Sequence, residues 1–456
     1  MYNAYVTTIK NLRKHPNADR LQLGECFGNT VCVNLDYTEG QIGIYFPTDG
    51  QLSIEFAEAN NLLRKKDENG NNVGGYMDPN KRNVAAIRLR GEKSDGLFLP
   101  LTCLESFGDI STLKVGDVIN VFNGHEICQK YIPRRNPSRR TSNGNKTRKR
   151  KVNIAPLFME HADTEQLAYN LSAFKPGDEI EITLKMHGTS QRTGYLPVFK
   201  GHKRTLLDKI LRREGTPIYD WGYVSGTRRT VLENFEGGYY GSNAFREQHS
   251  KFFEGKLWKG EEIFFEVVGF THTGAPIMAT ADNKKLNDKE FIKQYGKETV
   301  FSYGCSPTGW NRDDIRANPC PVSDVYVYRM TITNEDGDVV EYTPDFMRYR
   351  CEQMGVKTVP VFWKGEVPII ENDEALLDDD KDTVGDWVKE LAEEYYDGPD
   401  PIGKTHIREG VVVRIVNRPK FTAYKHKNFS FKVLEGIIKD TADAPDMEEI
   451  EELINE

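Results

Sequence analysis

The chain has 456 residues, too many for one ordinary hydrophobic core, so two or three domains are expected. No run approaches the ~18–20 consecutive apolar residues of a membrane span, which excludes one, and the opening MYNAYVTTIKNLRKHPNAD holds no apolar signal core, so secretion is not expected. Seven scattered cysteines, never in C-x-x-C spacing, argue against a disulfide scaffold or a zinc ribbon. The expectation is the cytoplasm, that of the host for a virus-encoded chain. The net charge of −8 is uneven: residues 1–129 carry 13 basic and 16 acidic side chains, 130–151 carry ten basic and no acidic, and the remainder 38 and 53.

In chain order, residues 1–129 alternate short β-rich runs with turns: VCVNLDY, IGIYFP, VAAIRLR and DGLFLPL, separated by Gly, Asn, Asp and Pro. Such a pattern predicts a small β-barrel. Next comes KYIPRRNPSRRTSNGNKTRKRK, too poor in apolar side chains to offset its own ordering entropy. Residues 130–153 therefore read as a basic flexible linker, either a solvated tether or a segment drawn to a phosphate backbone. From 154 to 440 strands and helices mix. EIEITLKM, EEIFFEVVGF, DVYVYRMTI and EGVVVRIV read as strands, and Val384, Trp387, Val388, Leu391 and Tyr395 mark one face of a helix over 382–396. Residues 441–456 form an acidic tail. Without βαβ regularity, the fold class is α+β, with no internal repeat.

No G-x-x-x-x-G-K-[ST], H-E-x-x-H or G-x-S-x-G string occurs. The informative string is KMHGTS, Lys185 to Ser190, where a lysine leaves a strand into a glycine turn and can present its amine to a phosphate. Taken singly, Lys185 reads equally as a surface lysine, Glu266 and Glu409 as strand-end carboxylates, Tyr328 as a core aromatic, and Lys425, Lys427 and Lys432 as a solvated basic face.

Taken together and in order, these residues resemble the covalent nucleotidyltransferases: DNA ligases, RNA ligases and mRNA capping enzymes. In that superfamily a K-x-D/E/H-G lysine bonds to a nucleoside monophosphate, which makes Lys185 the expected nucleophile. Glu266 in IFFEVVG resembles the motif that contacts the ribose, and Tyr328 in DVYVYRMTI the one that stacks on the base. Glu409 in EGVVVRI resembles the acid beside the metal. Lys425 and Lys427 in AYKHKNF resemble the lysines that hold the α-phosphate. Position 329 is Arg, where the superfamily commonly has Asp.

His187 and Ser190 are closer to the RNA-ligase form K-x-H-G-T-[NS] than to the DNA-ligase form K-x-D-G-x-R. FMEHADTEQL resembles the segment ahead of the lysine in RNA ligases. SGTRRT resembles the arginine-bearing strand after it, with Arg229 as the expected phosphate contact, once KGHKRTLLDKILRREG is set aside as an insertion. Only 24 residues follow Lys432, too few for the C-terminal OB domain of DNA ligases and capping enzymes. KHPNADRLQL instead resembles the opening of tRNA-binding OB domains, placing an OB fold at the N-terminus, as in the nick-sealing class of RNA ligases.

The resemblance implies an OB barrel followed by a two-sheet, ATP-grasp-like nucleotidyltransferase domain. It implies ATP and Mg²⁺ or Mn²⁺ as cofactors, with Glu409 as metal ligand and His187, Gly188, Arg229, Glu266, Tyr328, Lys425 and Lys427 around the nucleotide. The implied partner is nicked double-stranded RNA or an RNA/DNA hybrid, bound by a monomer with no membrane involved. A DNA ligase or capping-type enzyme, or a non-catalytic OB-domain RNA-binding protein, are the alternatives.

Overall fold

The computed structural model describes residues 2–65, 75–131, 153–162, 164–211, 213, 215–232, 234–237, 240–286, 288–310, 319–369 and 383–440. The acidic tail and most of the basic run lie outside these residues. Those described fall into two compact units, 2–131 with 432–440, and 153–431. No described helix is long and apolar enough to cross a membrane.

In the first unit, Ile42–Phe46 is the central strand of an antiparallel sheet, flanked by Leu97–Pro100 and Ala4–Thr8, with Val118–Ile119 beyond the latter. Gly43, Ile44, Tyr45 and Phe46 are all buried, as expected of a strand covered on both faces. Ser53 caps the helix Ile54–Ala59 by accepting from Phe56 N–H at 3.1 Å, and Phe56 lies between Phe46 and Phe107 in the core. The other strands form a three-stranded meander, Lys10–Lys14, Leu21–Cys26 and Asn29–Asn34, a second three-stranded sheet and two hairpins.

The expected barrel is not seen as a closed sheet among the described residues. Strands are short and the ladders break, as at the register shift between Lys10 and Arg13, where Asn11 has φ 54°. Period-two alternation locates strands but does not say which edges join. The HPNAD turn serves the fold. His15 is buried, its Nδ1 accepts from Asn17 N–H at 3.0 Å, and its Nε2 is therefore the donor to Leu89 O at 3.1 Å. Lys130 pairs with Gly50, and Tyr131 N–H donates to Asp49 O at 2.9 Å, so the chain is still strand-paired where a linker was expected. Residues 432–440, expected in the second domain, group here because Lys432 pairs with Asp95 at 2.5 Å.

The second unit is built on two sheets. One contains β1 (Glu165–Gln166), β2 (Glu179–Leu184), β8 (Val361–Glu366), β9 (Gly410–Ile415) and β10 (Thr422–Lys427), in the order β1-β10-β9-β2-β8. The other runs β4-β3-β5-β6-β7, from β3 (Thr189–Lys203), β4 (Thr216–Gly226), β5 (Glu261–Gly269), β6 (Ser323–Thr333) and β7 (Val339–Glu341), with Lys357–Thr358 parallel to β6. Its helices include α1 (Ala244–Phe252), α2 (Pro344–Met354) and α3 (Thr383–Tyr395), with short ones at Leu206–Ile210 and Lys289–Tyr295. The mixed α and β content agrees with the sequence reading, and α3 matches the predicted helix to one residue at each end.

Alternation dictates how the first sheet is used. Ile180, Ile182, Val411, Val413 and Ile415 point one way, into a core completed by Val388 and Ala392 of α3. That leaves Glu181 and Thr183, and next in phase Lys185, to the opposite face.

Candidate active site

Lys185 follows directly on β2, and its N–H donates to Gly410 O at 3.0 Å, fixing the end of β2 beside the start of β9. Its Nζ lies 2.9 Å from Glu409 Oε1. Lys427, at the end of β10 and paired with Gly410, brings its Nζ to 3.2 Å from the same oxygen. His187 Nδ1 is 3.6 Å from Glu409 Oε2. Three basic groups thus converge on one carboxylate that is only 2% exposed. Burial alone would raise the Glu409 carboxyl, but Lys185, Lys427 and His187 outweigh it and hold it well below the usual range. Gly410 has φ +145°, and a Cβ there would lie 2.1 Å from His426 O, so the close approach of β9 to β10 requires glycine.

The second sheet supplies the opposite wall. Ser190 pairs with Glu266 across the β3–β5 ladder, and Ser190 Oγ donates to Glu266 Oε2 at 3.3 Å. Gly188 is packed so that a Cβ would meet Val267 O at 2.5 Å and Glu266 Cγ at 2.8 Å. Tyr326 stands opposite Glu266 and is buried, whereas Tyr328 is half-buried. In the β5–β6 ladder Phe264 pairs with Arg329 and Phe265 with Val327, leaving Tyr328 as the extra residue of a bulge. Bulges re-aim side chains; here the Tyr328 hydroxyl sits 3.2 Å from His161 Nδ1, with the rings edge-on. Arg329 makes a two-pronged pair with Glu341 at 2.8 and 2.9 Å.

Of the residues expected from sequence, Lys185, His187, Lys427 and Glu409 form one cluster, and Gly188 and Glu266 adjoin it. Lys425 is half-buried on the same strand face as Lys427, two residues away, while His426 turns to Glu393 and Tyr396 on the other side. Arg229 is exposed in the turn closed by the Gly226–Val231 bridge, and its neighbour Arg228 offers the carbonyl that accepts from His161 N–H at 3.1 Å. Lys432, paired with Asp95 in the first unit, is not a member of the Glu409 cluster.

Several contributors carry no motif. The Tyr303 hydroxyl accepts from His187 N–H at 2.8 Å, and burial keeps that phenol far above its usual pKa, hence neutral. Phe301 and Phe431 meet the His187 ring edge-on. Beneath the loop, fully buried Arg246 of α1 donates to Thr189 Oγ1 at 2.6 Å and to Ser190 O at 3.0 Å. Arg192 lies over the Phe158 ring and donates to Thr227 O at 2.9 Å and to Met159 O.

For a cation, the described residues hold no cluster of three His, Cys, Asp or Glu side chains. Buried Glu409 Oε2 nonetheless has no hydrogen-bond partner. A buried carboxylate oxygen that makes no hydrogen bond, with His187 Nδ1 3.6 Å away, suits a hard divalent ion that takes its remaining ligands from water and phosphate.

No protein-family model and no curated protein matches the chain. Solved structures do. An RNA ligase of Naegleria gruberi with pyrophosphate superposes at TM-score 0.53 and 16% identity, covering 94% of this chain and 97% of that one. Two point mutants of the same ligase, each with ATP and Mn, superpose at 0.52 with 16% and 15% identity, covering 94% and 95% of this chain and 98% and 99% of theirs. The chain shares their fold. Within that ligase fold, KMHGTS follows a sheet strand and EGVVVRI begins its neighbour, so distant strings become adjacent at Glu409.

Proposed function

We propose that the protein is an ATP-dependent RNA ligase that seals 3′-OH/5′-phosphate nicks in duplex RNA or RNA/DNA hybrids through a lysyl-AMP intermediate. The observation that carries this reading is Lys185 Nζ at 2.9 Å from Glu409, with Lys427 on the same oxygen, in a fold shared with RNA ligases.

The reaction needs a neutral amine, yet a free lysine at neutral pH is neutral in only about one molecule in 10³. The Glu409 contact favours the ammonium form; binding of a divalent cation at Glu409 Oε2 would weaken that preference and neutralise charge on the α-phosphate. Lys185 Nζ loses a proton to solvent and attacks the α-phosphorus; the N–P bond forms as the bond to pyrophosphate breaks. Lys427 and Lys425 offer positive charge to the non-bridging oxygens, Tyr328 a ring for the base, and Glu266 an acceptor for the ribose. A 5′-phosphate oxygen next attacks the lysyl-AMP phosphorus and frees the amine. Finally the strand's 3′-OH attacks the activated 5′-phosphate and expels AMP. The first unit, read as an OB-type module, and the basic run hold the duplex.

Incubation with α-labelled ATP and Mg²⁺ should give a covalently labelled chain, and Lys185→Ala should abolish the label. Retained label in that variant would falsify the assignment. Sealing that requires ribose at the 3′-OH side of a nick separates this reading from a DNA ligase.

A further inference from the structure

The long hairpin β3–β4, which carries the insertion set aside in the sequence, presents a second surface. Cross-strand pairing sets Tyr195 opposite Tyr223, Pro197 opposite Trp221, and Phe199 opposite Tyr219, so all six side chains share one face. The opposite face, with Leu196, Val198 and Val224, is buried in a small core with Ala155 and Phe158.

The five rings are half-buried yet ordered. Tyr195 and Tyr223 stack at 4.7 Å, Trp221 lies 5.8 Å from Tyr195, and Phe199 6.1 Å from Tyr219. Two of their polar atoms are bonded at the margins, with Tyr223 Oη accepting from Gly255 N–H at 2.6 Å and Tyr219 Oη donating to Asn153 O at 3.0 Å. The half-buried rings leave part of their surface toward solvent.

The charge around the strip is mainly positive, although exposed Glu254 adjoins Gly255. Exposed Lys259 places Nζ 5.3 Å from the Trp221 ring, the His202 ring meets Phe199 edge-on, and exposed Lys203 and Arg204 continue from it. Two other acids are turned elsewhere: Asp220 pairs with Val198 on the opposite face of the hairpin, and Asp208 caps the short helix at its tip. Asn153, at the strip's edge, follows in sequence two residues after Lys151, the last of the ten basic residues.

We propose that this strip binds unpaired RNA, its rings stacking on successive bases while the flanking cations meet the phosphates. Stacking suits every base, so the surface is indifferent to sequence and prefers single strands, whose base faces are open. The inference goes beyond the ligase reading: it assigns to the insertion, outside the Glu409 cluster, a contact for unpaired RNA flanking a duplex.

The test is fluorescence anisotropy of a labelled mixed-sequence single-stranded RNA of about a dozen nucleotides with the full chain and no ATP. Trp221→Ala with Tyr223→Ala should weaken binding by about a hundredfold, roughly tenfold per ring. Trp221→Phe with Tyr223→Phe keeps the rings and should stay within about threefold of the natural chain. The proposal is overturned if the alanine pair binds normally, if the phenylalanine pair loses as much as the alanine pair, or if blunt duplex RNA competes as well as single strand. Should the alanine pair fail to fold, photo-crosslinking of 4-thiouridine RNA to the natural chain decides: crosslinks at residues 195–223 support the strip, and crosslinks only elsewhere overturn it. Covalent AMP labelling of each variant separates the two readings. Loss of RNA binding in a chain that never labels would sink the ligase and leave the strip; normal labelling with unchanged binding would do the reverse.

Discussion

At the scale of single residues, the active-site reading turns on which charges are compensated. Glu409 is a buried acid with three basic neighbours, and its depressed pKa means that its contribution to stability is present above the ordinary carboxylate range. That contribution is lost as pH falls through the folded-state value. His249 of α1 behaves in a way that is simpler to measure. It is buried against Ser323 Oγ at 2.9 Å, and burial pushes its pKa down to about 4, only partly opposed by Asp324 and reinforced by Arg246. Below the ordinary value near 6.5 the unfolded chain takes up a proton that the folded chain refuses. Stability therefore falls from pH 6.5 towards 4, by about 3 kcal/mol in all. His249→Gln should flatten that part of the stability curve, as read by chemical denaturation across the range; an unchanged slope would contradict it.

At the scale of elements, β-branched and aromatic enrichment located β2, β5, β6 and β9, and a 3.6-residue apolar stripe located α3; all nine residues of β5 are buried, so no alternation marks a face there. Two kinds of information were not legible. The bulge at Tyr328 depends on how β5 and β6 register, which no local pattern encodes. Tyr303 and Arg246 act from segments without motifs, the first from a loop after Glu298–Thr299, the second from a helix whose buried arginine looks like any surface charge in sequence. The barrel expectation failed for a related reason, since closure is a property of strand edges. The packing of α3 gives a quantitative check. Val388 is 0% exposed between Ile180, Val411 and their neighbours. Val388→Ala removes two methyl groups and leaves a small void, costing about 2 kcal/mol. Urea denaturation should register that loss, while a change below about 0.5 kcal/mol would mean that the sheet–helix core has relaxed around the site.

At the scale of the whole molecule, the chain is acidic while the substrate we propose is a polyanion, and ten basic residues are concentrated in 130–151. Affinity for RNA should fall steeply with salt, because each neutralised phosphate releases counterions. Replacing Arg134, Arg135, Arg139 and Arg140 with Gln should make the slope of log affinity against log salt shallower by up to about 3. A slope unaffected by these changes would show that the run is a spacer and that the grip on RNA comes from elsewhere.

The extra residue at Tyr328 also sets a parity. Up to Val327, odd positions of β6 lie on the side of Phe265; from Arg329 onward, odd positions lie on the side of Phe264. Deleting Tyr328 would leave Phe265–Val327 and Phe264–Arg329 as successive pairs of a regular ladder, with every later side chain on its present face. Met330 would keep its place opposite Ile263, and the guanidinium that grips Glu341 would stay where it is. The bulge is thus a place where β6 can lose a residue and keep both halves in phase with β5, and what it would lose is the ring set edge-on against His161.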